Sequence, residues 1–207
     1  MTLIVDCHTF PCISYLKKAI EVKHIKIEQF ENFQKMSFRN RYIIAGANGV
    51  VNLTIPVRGG REQKRLLKEV SIDHTTDWPT RHWRSITSAY NKAPFFDYYA
   101  SGVRSLLFSK ENFLFSFNIN IVSYLVNELD LNVLVEFTER YVHEYEHDHD
   151  YRNYFLPKSF QKNTHDRQPR YSQVFEDRLG FQPNLSVLDL LFCEGPNAKH
   201  LLTSSVN

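Results

Sequence analysis

The stretch LIVDCHTFPCISYLKKAIEVKHIKIEQF, residues 3–30, sets the fold class. Residues 3–6 are a short, mostly apolar run and read as a first strand. A loop with Pro11 follows. Residues 14–22 (SYLKKAIEV) then read as a short helix, with Ser14 as its N-cap. Residues 25–30 (IKIEQF) alternate apolar and polar side chains, the period of a half-buried strand. Strand, helix and strand in about 28 residues fit a parallel crossover. Ligands of a parallel sheet sit beyond the carboxyl ends of its strands, so the loop after the first strand is a natural place for chemistry.

Outward from this start, residues 41–45 and 50–57 are two further strands. The Asn48-Gly49 between them signals a hairpin turn whose central residues both take positive φ. Pro56 cannot donate to a ladder, which puts the second strand at an edge or ends it there. Residues 69–73 (EVSID) read as one more short strand. From Pro79 the apolar period becomes helical: His82, Ile86, Tyr90 and Ala93 share a stripe until Pro94. Two further helices follow, one carrying Tyr99 and Val103, the next Phe117, Ile121 and Leu129. Residues 133–137 (VLVEF) are a strand, and residues 138–170 fit a helix or an ordered loop. Ser186 and Asp189 resemble a capping box opening a last helix that Gly195-Pro196 ends. The expected architecture is a single α/β domain over residues 1–207: a small, partly parallel N-terminal sheet with a mostly helical second half.

Composition narrows the function. Sixteen Phe, 11 Tyr and 2 Trp exclude disorder and call for a ring-rich interior or pocket. Only 7 glycines and no G-x-G-x-x-G or G-x-x-x-x-G-K-[ST] argue against a glycine-loop phosphate site. A formal charge of +2 is too small to draw nucleic acid or membrane by bulk attraction. The three cysteines (Cys7, Cys12 and Cys193) are too few and odd in number for a disulfide framework. With no leader pattern and no long apolar run, the expectation is a cytoplasmic protein without a membrane span.

Four clusters carry candidate chemistry. The loop after the first strand holds Asp6, Cys7, His8, Cys12 and Ser14, in which His8 would serve as base to a thiol or hydroxyl. Buried, the same residues would only fill the core. Gln29 and the Phe38-Arg39-Asn40-Arg41 run come next. Two guanidinium forks and an amide suit a phosphate or carboxylate, although successive residues on a strand point to opposite faces. The third cluster, from His82, Trp83 and Arg84 to Tyr90 and Lys92, mixes rings with cations as a sugar or nucleotide site does. Its stripe pattern is equally that of a core helix. The fourth, His143-Glu144-Tyr145-Glu146-His147 followed by His149, matches H-E-x-x-H, which on a helix places two imidazoles on one face for zinc. The surrounding charge fits a solvated face as well. The basic residues 58–68 lack interleaved aromatics, unlike a nucleic-acid platform.

Read in order, these segments resemble the WbqC-like protein family. The likeness rests on Gln29-Phe30, F-R-N-R (38–41), N-L-T-I-P-V (52–57) and H-W-R-S-I-T-S-A-Y-N-K-A-P-F-F-D-Y-Y (82–99). It continues in Y-S-Q-V-F (171–175) and F-Q-P-N-L-S-V-L-D-L-L-F-C-E-G-P (181–196). The resemblance implies an association with gene clusters for O-antigen and other surface polysaccharides, not a reaction. Two segments depart from the family pattern: H-T-F-P-C-I-S-Y (8–15) and the His-rich residues 143–154. The expected function is group transfer from an anionic activated donor, such as a nucleotide sugar, to a surface glycan precursor. His8 and His82 would be catalytic, and Gln29, Arg39, Asn40, Arg41, Trp83, Tyr90 and Lys92 would bind substrate. A non-catalytic binding or scaffold protein of the same pathway is one alternative. A zinc hydrolase with metal at His143, His147 and His149 is another.

Overall fold

The computed structural model describes residues 2–59, 65–145, 149–160 and 169–204. Strands β1 (Leu3–Val5) and β2 (His24–Ile27) are parallel and joined by helix α1 (Ile13–Val22). Leu3 pairs with Ile25 and Val5 with Ile27, so the buried isoleucines of β2 alternate with half-exposed His24 and Lys26. The third strand of this sheet comes from far along the chain: β5 (Leu134–Phe137) lies parallel to β2 on its other side. All three strands therefore end at one edge. Residues 149–151 close the outer side of β1, with Ile4 donating to the His149 carbonyl at 2.7 Å and accepting from Tyr151 N–H at 2.8 Å.

The second sheet is the hairpin β3 (Arg41–Gly46) and β4 (Gly49–Thr54). Its turn differs from the expected one. Of Ala47, Asn48 and Gly49 only the glycine has positive φ, at 123°, so Gly49 alone needs the missing side chain. Residues 69–73 do not form a strand. They follow from a 3₁₀ turn at Leu67–Glu69 and make only isolated bridges, from Ile72 to Val57 and from Ser71 to Phe113.

Helices α2 (Trp78–Tyr90), α3 (Phe96–Leu107) and α4 (Leu114–Glu128) fill the middle of the chain. Pro79 sits in the first turn of α2, where its missing N–H costs nothing, and Asp77 caps Thr80 N–H. A single helical turn, α5 (Glu176–Leu179), precedes α6 (Val187–Glu194) and α7 (Asn197–Ser204). The whole of α6 except Glu194 is buried, and it packs on α1, α3 and β3, joining the two sheets.

One expected cap is replaced and the other is only half formed. The N-cap position of α1 is Cys12, without a side-chain bond, and the Asn184 carboxamide accepts from Ser14 N–H at 2.9 Å. Ser186 does cap Leu188 N–H, but Asp189 does not return the bond. It accepts instead from Tyr90 at 2.8 Å, Tyr171 at 2.6 Å and Gln173 at 2.8 Å. Among the described residues no helix is long and apolar enough to cross a membrane.

Candidate functional site

Each parallel strand is followed by a polar residue at its carboxyl end: Asp6 after β1, Glu28 after β2 and Thr138 after β5. Adjacent strands end side by side, so the chain alone brings these groups together. Thr138 donates its hydroxyl to Glu28 Oε1 at 2.9 Å, and Phe30 N–H donates to the same oxygen at 2.7 Å.

Arg39 enters this edge from the residues before β3. Its Nε and Nη2 donate to the two Glu31 oxygens at 2.7 and 2.5 Å, its Nη2 also reaches Asn153 Oδ1 at 3.0 Å, and Nη1 lies 3.0 Å from Asp6 Oδ2. His8 Nε2 lies 3.0 Å from the same Asp6 oxygen. Burial alone would raise the Asp6 carboxyl, yet the charges of Arg39 and then His8 hold it well below the usual carboxylate range. Burial pushes Glu31 up to about 6 against the pull of Arg39, and the nearby Asp6 and Glu28 charges add to the rise.

The segment after β5 supplies a second guanidinium. Arg152 donates to both Asp150 oxygens at 2.8 and 2.5 Å, and to the carbonyls of Val142 and His143. Its guanidinium lies 5.3 Å from the Tyr141 ring centre and 4.9 Å from that of Tyr145, and Nη1 is 3.9 Å from Glu28 Oε2. Against these two ion-paired guanidinium groups opens a cavity of about 560 Å³, whose lining includes Glu31, Lys35, His143, Asp150, Arg152 and Asn153 but none of the three strand-end residues. Lys35 is exposed on it and has no ion-pair partner among the described residues.

His8 Nδ1 is buried with no hydrogen-bond partner, whereas Glu28 Oε2 and Arg39 Nη1, which make no hydrogen bond of good geometry, are each held by an ion pair, to Arg152 at 3.9 Å and to Asp6 at 3.0 Å.

The expected site residues fall into several environments. His8, Gln29 and Arg39 do meet at the strand ends, His8 and Arg39 through Asp6. The loop after β1 is buried throughout, however. His8 is fully enclosed, with ring centres of Tyr15, Phe38 and Phe155 at 4.6, 5.4 and 6.3 Å. Burial pushes the Cys12 thiol up to about 12 and Cys7 higher still, so neither is a nucleophile near neutrality. Arg39 spends its donors on the chain's own carboxylates. Gln29 donates to the Thr138 carbonyl at 2.7 Å, and Asn40 to the Ile55 carbonyl at 2.8 Å. Arg41 points away from Arg39, to Thr54 and Met36; Arg39 lies in the turn before β3, so no strand register holds the two guanidinium groups to one face.

His82 is enclosed on the hairpin side. Tyr42 donates its hydroxyl to Nδ1 at 3.0 Å and Nε2 donates to the Thr54 carbonyl at 3.3 Å; burial pushes the imidazole down to about 4. Trp83 stacks on Phe96 at 6.0 Å, Tyr90 is buried on Asp189 and Ala45 N–H, and Lys92 is exposed.

The zinc reading loses its premise at His143, because residues 141–145 are not helical. His143 and His149 line different cavities, and His147 lies outside the described residues. Among the described residues no group of three His, Cys, Asp or Glu side chains is placed to hold a metal.

Sequence reading missed Glu28, Glu31, Lys35, Thr138, Asp150, Arg152 and Asn153 as site residues. The signal for two of them was present: a polar residue directly after each short apolar strand.

The uncharacterised protein Rv1507c of Mycobacterium tuberculosis is 25% identical over 226 residues, covering 96% of each chain. No solved structure matches. The WbqC-like protein family profile matches residues 7–152, a span that holds β2 to β5 and most of the strand-end network but not β1, Asp6 or Asn153, and that stops before the expected 171–196 signature. The chain therefore belongs to the WbqC-like protein family.

Proposed function

We propose that this protein is a cytoplasmic enzyme of surface-polysaccharide formation that transfers a group from an anionic activated donor, such as a nucleotide sugar, within the strand-end cavity. The observation that carries this reading is an open polar cavity walled by Glu31, Lys35, His143, Asp150 and Arg152, in which Glu31 is tied through Arg39 to Asp6 at the end of β1 and Arg152 stands 3.9 Å from Glu28 at the end of β2. The donor's anionic part meets Lys35 and His143 at the cavity wall. Arg39, which sequence reading assigned to that task, instead fixes Glu31 and Asp6. Glu31 lines the cavity and has a proton affinity near neutrality, so it is the group suited to take a proton from the acceptor. His8 acts through Asp6 as a positioning residue.

The test is a thermal-shift panel of nucleotide sugars on the full chain. At about 100 times its Kd a true donor raises Tm by roughly 5–10 °C, and Lys35→Ala weakens its binding several-fold without lowering the unliganded Tm. No shift from any nucleotide sugar, together with unchanged surface polysaccharide in cells lacking the gene, overturns the reading.

A further inference from the structure

We propose that Thr2, His24 and Glu136 form an esterase-type site of their own, with the Thr2 hydroxyl as nucleophile toward carboxylic esters of short-chain acids. The site is separate from the one assigned above to group transfer, and neither depends on the other.

Strand register puts the three side chains together. Leu3 of β1 pairs with Ile25 on one side of β2, and His24 pairs with Leu134 of β5 on the other. Thr2 therefore stands beside His24, and Glu136 lies two residues further along β5 on the same face. Ile25 and Ile27 take the core face of β2, which turns His24 and Lys26 the other way. Thr2 Oγ1 lies 2.9 Å from His24 Nδ1, and His24 Nε2 lies 2.7 Å from Glu136 Oε2. A hydroxyl, a base and an orienting carboxylate, each within hydrogen-bond reach of the next, are the parts that nucleophilic catalysis by a hydroxyl needs.

The carboxylate fixes the order of donors. The hydrogen bond from His24, and then the charge of Lys26 3.7 Å away, hold Glu136 below the usual carboxylate range. It is therefore ionised near neutrality and can only accept. Nε2 carries the proton, and Nδ1 of the neutral ring is left to accept from the Thr2 hydroxyl. That is the tautomer a general base requires.

Thr2 also stands where a substrate can reach it. It lines a cavity of about 620 Å³ together with Lys26, Arg140 and His149. Lys26 and Arg140 outnumber Glu139 on this wall and are the cations placed to meet a developing oxyanion. The aliphatic part of the lining is small, Ile4 and Val142, which suits a short acyl chain. In the reaction Thr2 Oγ1 bonds to the acyl carbon, and its proton passes to His24 Nδ1. The ester C–O bond then breaks, and that proton leaves with the alcohol. Water next attacks the acyl-threonine and gives one proton, through His24, back to Thr2 Oγ1 as the acid departs. Glu136 keeps its charge throughout and acts on His24 as a positioning residue.

Hydrolysis of p-nitrophenyl acetate by the full chain at pH 7 tests this. Thr2→Val, which keeps the shape and loses the hydroxyl, is expected to lower kcat about 100-fold, and Thr2→Ser to stay within about tenfold of wild type. Glu136→Ala, at a position 45% exposed, is expected to lower kcat at least about tenfold with KM unchanged. Peptide mass spectrometry of chain quenched during turnover is expected to find acetyl on Thr2. If Thr2→Val does not fold, the Glu136→Ala kinetics and the acetyl position decide. No wild-type hydrolysis above the buffer rate, a Thr2→Val loss under about threefold, or acetyl on lysines alone overturns the assignment.

Discussion

His82 shows how a residue that reads as chemistry can be structure. Its neutral ring accepts from Tyr42 and donates to Thr54, and a second proton, on Nδ1, would displace the one Tyr42 donates and put a charge in a buried site near Arg81. Burial lowers its pKa to about 4 from the ordinary imidazole value of 6.5. A depressed folded-state value means that the unfolded chain takes the proton first as pH falls. The stability this residue supports is thus present above 6.5 and lost between 6.5 and 4. The loss across that window is about 3 kcal/mol. His82→Gln, which can still donate to Thr54 and accept from Tyr42, is expected to flatten the fall. Urea denaturation of both proteins at pH 7 and pH 4.5 measures it, and parallel losses in the two would contradict the assignment. At this scale the sequence was half legible. The helical stripe through His82, Ile86 and Tyr90 already pointed to a buried ring. The enclosure of His8 was not legible, because Phe38 and Phe155 come from distant parts of the chain.

Among elements, α1 illustrates the limit of local reading. Its span was predicted within one residue from the apolar pattern of residues 14–22, because periodicity is a property of the segment itself. Its cap was not, because the group that serves the free N–H of Ser14 is the Asn184 side chain, 170 positions away. Asn184 holds a φ of 58°, which Asn and Gly tolerate and Ala does not, and it also donates to the Phe160 carbonyl at 2.7 Å. Two substitutions separate these roles. Asn184→Gly removes the side-chain bonds alone and is expected to cost about 1 kcal/mol. Asn184→Ala adds backbone strain and is expected to cost about 2 kcal/mol. Equal losses in urea denaturation would show that the left-handed backbone carries no strain. The same lesson applies to β5. Residues 133–137 were legible as a strand, but nothing within them says that they add to β2 and complete the edge where the site forms.

On the scale of the whole molecule, Arg39 is the joint between parts that are far apart in sequence: Asp6 from the first strand, Glu31 from the chain beyond β2, and Asn153 from the segment that closes over β1. Sequence reading put Arg39 and His8 together but gave the guanidinium to a ligand, since no local pattern tells that two buried carboxylates already await it. Its removal leaves those carboxylates enclosed without a counter-charge, which costs about 3–5 kcal/mol. That is a large share of the roughly 5–15 kcal/mol that holds a domain folded. The pH dependence then reverses sign. In the wild-type protein Asp6 has a lowered pKa, and the stability it supports is lost as pH falls below the ordinary carboxylate range. In Arg39→Ala both Asp6 and Glu31 are expected to rise above their unfolded values, so their contribution is greatest at low pH and is lost as pH increases. The variant is therefore expected to lie closer to wild type at pH 5 than at pH 7. Denaturant titrations at the two values measure this, and a deficit below 1 kcal/mol at pH 7, or one that widens at pH 5, would show that the guanidinium does not hold the strand-end network together.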